Sequence, residues 1–316
     1  MTPMKPVSDL LDDCAEETKD VLDKNPPVED VDPDDLDAND LPDAKNKTWY
    51  RLEDVVAVFA DLQNSTALGL GKHAASTAAI YRAATGNVVH IMNKFEADYI
   101  QIQGDGVFAI FWGERRYERA LCAGVTAKTF SEETLVPKLE ARWKGGPETG
   151  FKVGIASQRT LVKNLGTPRN ENEQEPVWAG KPVNYAAKAA QQALRHELIV
   201  TGSVWDFISG NDYLSVTCAC DPGPNLWQDV SIEKLNHDED EAAGRLLKAK
   251  WCETCRDDFC AAILDGQTHR DDADGVRDQV RKSQHATAFR LAREQNRAQR
   301  RAHRFGATSF GRRRRG

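Results

Sequence analysis

No stretch of the 316 residues approaches the roughly 18–20 consecutive apolar positions that a membrane-crossing helix needs. No basic segment followed by an apolar one opens the chain, so no secretory signal is expected. Both absences point to a cytoplasmic protein. Seven cysteines, an odd number in a chain this long, do not suggest a disulfide scaffold. There is no internal repeat. No G-x-G-x-x-G follows the first strand-like run, which argues against a Rossmann fold. What remains is globular composition, 40% hydrophobic and 29% charged, with a mean hydropathy of −0.58 from polar ends. The length suits two ordinary domains or one large one.

The net charge of −7 hides an asymmetry. Residues 1–44 hold fifteen Asp and Glu against three Lys. Residues 277–316 hold twelve Arg and one Lys against Asp278 and Glu294. The acidic end has room for one amphipathic helix around 8–24, with Leu10, Leu11, Val21 and Leu22 as its apolar positions. After Pro26 and Pro27 the Asp- and Pro-rich stretch to Lys47 has little apolar surface and reads as a linker.

From Val55 the texture changes. VVAVFADL is a continuous, β-branched apolar run and reads as a buried strand. A helical pattern follows from Ala74 to Phe95. YIQIQ and VFAIFW are then two strand-like runs around Gly104-Asp105-Gly106, a hairpin signal. A helix fits 115–143, FKVGIA is another strand, and 164–175 is a polar loop. Pro182 sits at a helix N1 position and opens a helix to Leu194. ELIVTG is a last strand. This order favours an α/β sandwich with helices on one side of a mixed sheet, on a ferredoxin-like plan.

Three spots carry candidate chemistry. Asp61 ends the buried strand and precedes Asn64-Ser65-Thr66. A carboxylate there suits a hard cation, and the following turn and helix start suit phosphate oxygens. A plain turn with a helix cap needs the same residues and no ligand. Asp105 sits at the hairpin tip, with Gln101 and Gln103 on its strand face. An exposed strand ending in an Asp-Gly turn has the same pattern. Asn184 and Lys188, four apart, share one helix face, which suits a sugar and a phosphate. They also fit the solvated stripe of an amphipathic helix.

Taken in order, FADLQNST, IQGDGVFAIF, VGIA and G-x-x-VN-x-A-x-K resemble the class III nucleotide cyclases over residues 50–205. The resemblance implies the ferredoxin-like cyclase catalytic domain at 49–210. It leaves an acidic, partly disordered segment at 1–48, a helical, Cys-containing extension at 211–270 and a basic tail at 271–316. It also implies that Asp61, Asp105 and the backbone carbonyl of Leu62 hold two Mn²⁺ or Mg²⁺ ions. Asn64, Ser65 and Thr66 contact the substrate, and Asn184 and Lys188 hold the ribose and α-phosphate. In that family the metal pair comes from one chain and the Asn/basic pair from the other, so a homodimer with shared sites is implied.

The departures bear on the base. Lys188 stands where Arg is usual, and Gln158 where Gly is usual. The adenine-reading slots hold Gln101 and, by spacing, Val177, with Trp178 beside it. This chain is similar here to the pyrimidine cyclases of the bacterial Pycsar anti-phage system. That resemblance implies UTP or CTP as substrate, and cyclic UMP or cyclic CMP made to trigger a separate effector. It places Tyr50 near the nucleotide, although a Tyr packed on the sheet reads the same. A purine cyclase, and a catalytically dead nucleotide-binding module, are the alternatives.

Two features stand outside the resemblance. Cys218, Cys220, Cys252 and Cys255 form CxC and CxxC half-knuckles that fit a structural zinc, although buried free thiols fit as well. The Arg-rich tail suits nucleic acid or an acidic partner, or is simply solvated.

Overall fold

The structure, a computed structural model, describes residues 5–168, 170–218, 220 and 226–278. The Arg-rich tail expected from sequence therefore lies, from residue 279 onward, outside the described residues. Contacts divide the chain into two compact units. The first comprises Met1–Phe207 with Asp229–Leu246, and the second Ile208–Gln228 with Leu247–Gly316.

Nine strands among the described residues form one sheet. They are β1 Val28–Asp30, β2 Trp49–Gln63, β3 Tyr99–Gln103, β4 Gly106–Phe111 and β5 Gly150–Gly166. β6 Gln174–Gly180, β7 Leu198–Val200, β8 Trp227–Ser231 and β9 Ala243–Leu247 complete it. The main path runs β3-β4-β2-β5-β7-β9-β8, with β1 on β2 and β6 on β5. β2 lies antiparallel between β4 and β5, and β3 is antiparallel to β4. This is the order of a ferredoxin-like βαββαβ core. β7 returns parallel to β5, so the sheet is mixed.

The helices are α1 Val7–Lys24, α2 Ser65–Gly69, α3 Ala74–Lys94, α4 Arg116–Phe130, α5 Val136–Arg142 and α6 Lys181–Gln192. α3 buries Ile80, Ala84, Val88 and Met92, a stripe with one residue per turn, which is why it forms. α4 packs on the sheet face that carries Val153 and Ile155, where Gly124 leaves room for both side chains. α6 packs on the opposite face through Ala186 and Ala189, against Ala57, Ala156 and Ile199, so helices cover both faces of the sheet and not one side as the element order suggested. β2 is thus covered on both sides, which explains its unbroken apolar run. No helix among the described residues is long and apolar enough to cross a membrane.

Two regions differ from composition-based reading. The strand expected as FKVGIA runs on to Gly166 and pairs with β6 from Thr160–Gly180 to Gly166–Gln174. Its polar second half conceals the strand, because those residues bond to other parts of the fold. Gln158 donates to Glu241 at 2.8 Å, for example. The stretch read as a linker is fastened to this hairpin. Leu41 is buried, Asn164 donates from its backbone to Pro42 at 2.9 Å, and the buried Lys163 ammonium donates to the carbonyls of Asp43 and Asn46. Burial pushes the Lys163 pKa down. Three carbonyls and one lysine supply the order that apolar area does not.

Candidate active site

β2 carries Asp61 past the point where its ladder with β4 ends, at Ala60–Val107. The β3–β4 turn, Gly104-Asp105, lies at that same end, with Gly104 at φ +65°. The two carboxylates therefore sit at one end of adjacent strands. Gly106 is required there, because a Cβ would stand 2.7 Å from the Phe59 ring. Phe59 and Phe108 stack at 4.1 Å beneath this end.

Asp61 is paired in register with Lys152 of β5, whose Nζ is 2.7 Å from its carboxylate. Sequence reasoning missed Lys152. The available signal was a lysine interrupting FKVGIA on the strand face that looks at Asp61. Leu62 is buried and faces Phe151 in register. Phe151 donates its N–H to Ser131 Oγ at 2.7 Å and accepts from the His196 N–H at 2.8 Å. The Leu62 carbonyl is thus denied the N–H of the residue opposite it. Two carboxylates and a carbonyl are hard oxygen donors, the set that Mg²⁺ and Mn²⁺ take.

The turn after Asp61 is held by its own chemistry. Asn64 adopts a left-handed φ of 58° and donates its side-chain amide to the Glu148 carbonyl at 2.7 Å. Its carbonyl accepts from Ala67 and Leu68 as α2 begins with Ser65 and Thr66. The side chain of Asn64 is therefore an anchor of the turn.

Asn184 and Lys188 lie on α6. The Asn184 amide donates to the Gly180 carbonyl at 3.1 Å, and Lys188 Nζ lies 5.3 Å from the Tyr185 ring centre. Tyr185 donates to Asp238 at 3.0 Å, and Lys181 bonds the same carboxylate at 2.7 Å. Lys181 holds the Asp238 carboxyl below the usual range. This tripod fixes the first turns of α6, and with them Asn184. α6 can approach β5 because residue 154 is glycine: a Cβ there would stand 2.0 Å from the Ala186 carbonyl oxygen.

The base-reading candidates gather at the β3 and β6 side. Gln101 donates to Glu175 at 3.3 Å. Glu175 was not foreseen; it lies two positions before Val177, on the same exposed face of β6. Burial, and then the Glu175 charge, raise the Tyr99 pKa. Trp178 is 9% exposed, and its ring lies 5.3 Å from Tyr99 and 5.5 Å from Trp112. Its Nε1 is buried without a partner. Tyr50, half-buried, packs on the same cluster with Leu52 and Val162. Trp178 is thus wall rather than open surface.

No family model matches the chain. A uridylate cyclase of Propioniciclava tarda is 50% identical over 272 residues, 85% of this chain and 87% of that one. A uridylate cyclase of Micromonospora echinofusca is 56% identical over 238 residues, 75% of this chain and 77% of that one. Similar solved structures include an adenylyl cyclase of P. aeruginosa, with a TM-score of 0.46 and 17% identity. It covers 51% of this chain and 82% of that one. Another is the guanylyl cyclase domain of a Blastocladiella emersonii fusion protein, with a TM-score of 0.48 and 13% identity over 62% of this chain and 97% of that one. On the extent of its identity to the two uridylate cyclases, the chain is an enzyme of the class III nucleotide cyclase family.

Proposed function

We propose that the chain converts UTP to 3′,5′-cyclic UMP and pyrophosphate. The observation that carries this reading is 50–56% identity to two proteins named uridylate cyclase. The Gln101–Glu175 pair supplies a chemical rationale. Uracil presents an O4 acceptor beside an N3–H donor. The Gln101 amide donates to the first, and the Glu175 carboxylate accepts from the second. Cytosine presents the reverse pattern, N4–H₂ beside an N3 acceptor, and leaves Glu175 facing a lone pair. CTP is therefore the weaker substrate.

The reaction is an in-line attack of the ribose 3′-oxygen on the α-phosphorus, with pyrophosphate leaving. Asp61, Asp105 and the Leu62 carbonyl would hold two divalent ions, Mn²⁺ or Mg²⁺, and ions bound there would lower the 3′-hydroxyl pKa and neutralise triphosphate charge. Asn184 orients the ribose, and Lys188 neutralises charge that builds on the α-phosphate. Tyr50 and Trp178 wall the base, and the backbone of the Asn64–Thr66 turn faces the phosphates. The two residue sets come from different chains of a homodimer. The enzyme acts in the cytoplasm in anti-phage defence, and its product signals to a separate effector. The basic tail serves an acidic or nucleic-acid partner.

Kinetics with each of the four NTPs and Mn²⁺ tests the reading. UTP is expected to give the highest kcat/KM, with cyclic UMP as product. Glu175→Gln, which presents both donor and acceptor, narrows the UTP/CTP ratio. A kcat/KM for ATP or GTP at or above that for UTP overturns the pyrimidine assignment.

A further inference from the structure

The second unit is built from two separate passages of chain. The chain leaves it at Gln228, contributes to the sheet, and returns at Leu247. Its described apolar core is small: Ile208, Leu214, Val216, Trp227, Leu247, Ala262, Ile263, Ala273 and Val276 are its main buried residues. A core of this size is a weak restraint on two passages that are not consecutive. Polar ties join them, among them Asp212 to Thr268, His269 and Arg277, and Tyr213 to Gln267. Arg270, 5% exposed, donates to the carbonyls of Asp212, Val216 and Thr217 at 3.2 Å each.

A further tie is made of sulfur. Cys218 and Cys220 come from the first passage, Cys252 and Cys255 from the second, and their four Sγ atoms all lie within 4.8 Å of one another. Four thiolates around Zn²⁺ at about 2.3 Å stand roughly 3.8 Å apart, so this spacing is that of a tetrahedral shell slightly relaxed. All four thiols are unpaired by disulfides. The backbone N–H groups of Thr254 and Cys255 are directed at the Cys252 sulfur. Such N–H···S contacts orient a metal-bound thiolate and disperse its charge. Cys260 lies nearby on the Arg256–Leu264 helix but is not in the group.

We infer that Cys218, Cys220, Cys252 and Cys255 bind one structural Zn²⁺ that staples the two passages of the second unit. The set is all sulfur and uses four ligands, which closes the shell and leaves no position for substrate. Soft thiolates select zinc over the hard cations suited to Asp61 and Asp105. The two metal populations are therefore chemically separate, and the inference stands whether or not the base assignment does.

The test is metal content of the full chain, purified under reductant from zinc-containing medium and dialysed against Mn²⁺. Elemental mass spectrometry is expected to find about one Zn per chain, and Cys218→Ser or Cys252→Ser to lower it by about tenfold or more, whereas Cys260→Ser retains it. If those variants do not fold, the wild-type protein still decides. Zinc stripped with a mercurial and a chelator, under conditions that leave the far-ultraviolet spectrum intact, should expose 208–228 and 247–278 to protease. Zinc-free wild-type protein with four freely titrating thiols, or with disulfides among the four, overturns the site. Unchanged cleavage after zinc removal overturns the staple.

Discussion

At the scale of single residues, the site rests on charges that need partners. Asp61 has Lys152 as its partner, and Asp105 lies at the tip of the neighbouring hairpin. Asp61→Ala or Asp105→Ala is expected to reduce turnover by far more than tenfold while circular dichroism stays unchanged. Retention of more than about a tenth of wild-type activity, a barrier change of about 1.4 kcal/mol, removes that carboxylate from the proposed metal site. His196 is a structural counterpart. Burial holds its imidazole below the ordinary value of 6.5, with Glu132 the main opposing influence. The neutral ring is favoured in the fold, so the unfolded chain binds more protons as pH falls past 6.5. Stability present above that pH is lost as pH drops toward and through the folded value. The thermal midpoint should fall on going from about pH 7 to 5, with a smaller slope in His196→Asn, which tolerates the left-handed φ of 61°. Equal slopes would exclude His196 as a source of the acid sensitivity.

At the scale of elements, the contact between α6 and β5 positions Asn184 and Lys188. It is so close that Gly154→Ala places a methyl 2.4 Å from the Ala190 nitrogen, against backbone that cannot rotate away. The expected cost is about 1–3 kcal/mol or more, read as a lower unfolding midpoint. Activity falls with it, because α6 is displaced. Gly86 is the control. It is exposed in the interior of α3, and a Cβ there meets nothing within 4 Å. Gly86→Ala should raise stability by about 0.5–1 kcal/mol from helix propensity alone. A neutral Gly154→Ala would show that α6 moves freely on the sheet.

At the scale of the whole molecule, α6 covers part of one sheet face, while Asp61 and Asp105 lie at one end of β2 and of the β3–β4 hairpin. In the proposed homodimer, two equivalent shared sites account for both residue sets. Equal amounts of Asp61→Ala and Asn184→Ala, each inactive alone, are expected on random exchange to regain about a quarter of wild-type activity, since each heterodimer keeps one intact site. No recovery despite demonstrated subunit exchange places the whole site in one chain. The sequence by itself determined the core order and the candidate metal and α6 residues. A buried parallel-type run, an Asp-Gly hairpin and a Pro-opened helix are local signals, readable without neighbours. Lys152, Glu175 and the ordered acidic stretch were decided only by tertiary structure. Each depends on a partner distant in sequence: Lys152 on strand register, Glu175 on the approach of β6 to Gln101, and residues 41–46 on one buried lysine. The four cysteines show both levels, since the half-knuckles are written in the sequence, but only folding brings 218–220 beside 252–255.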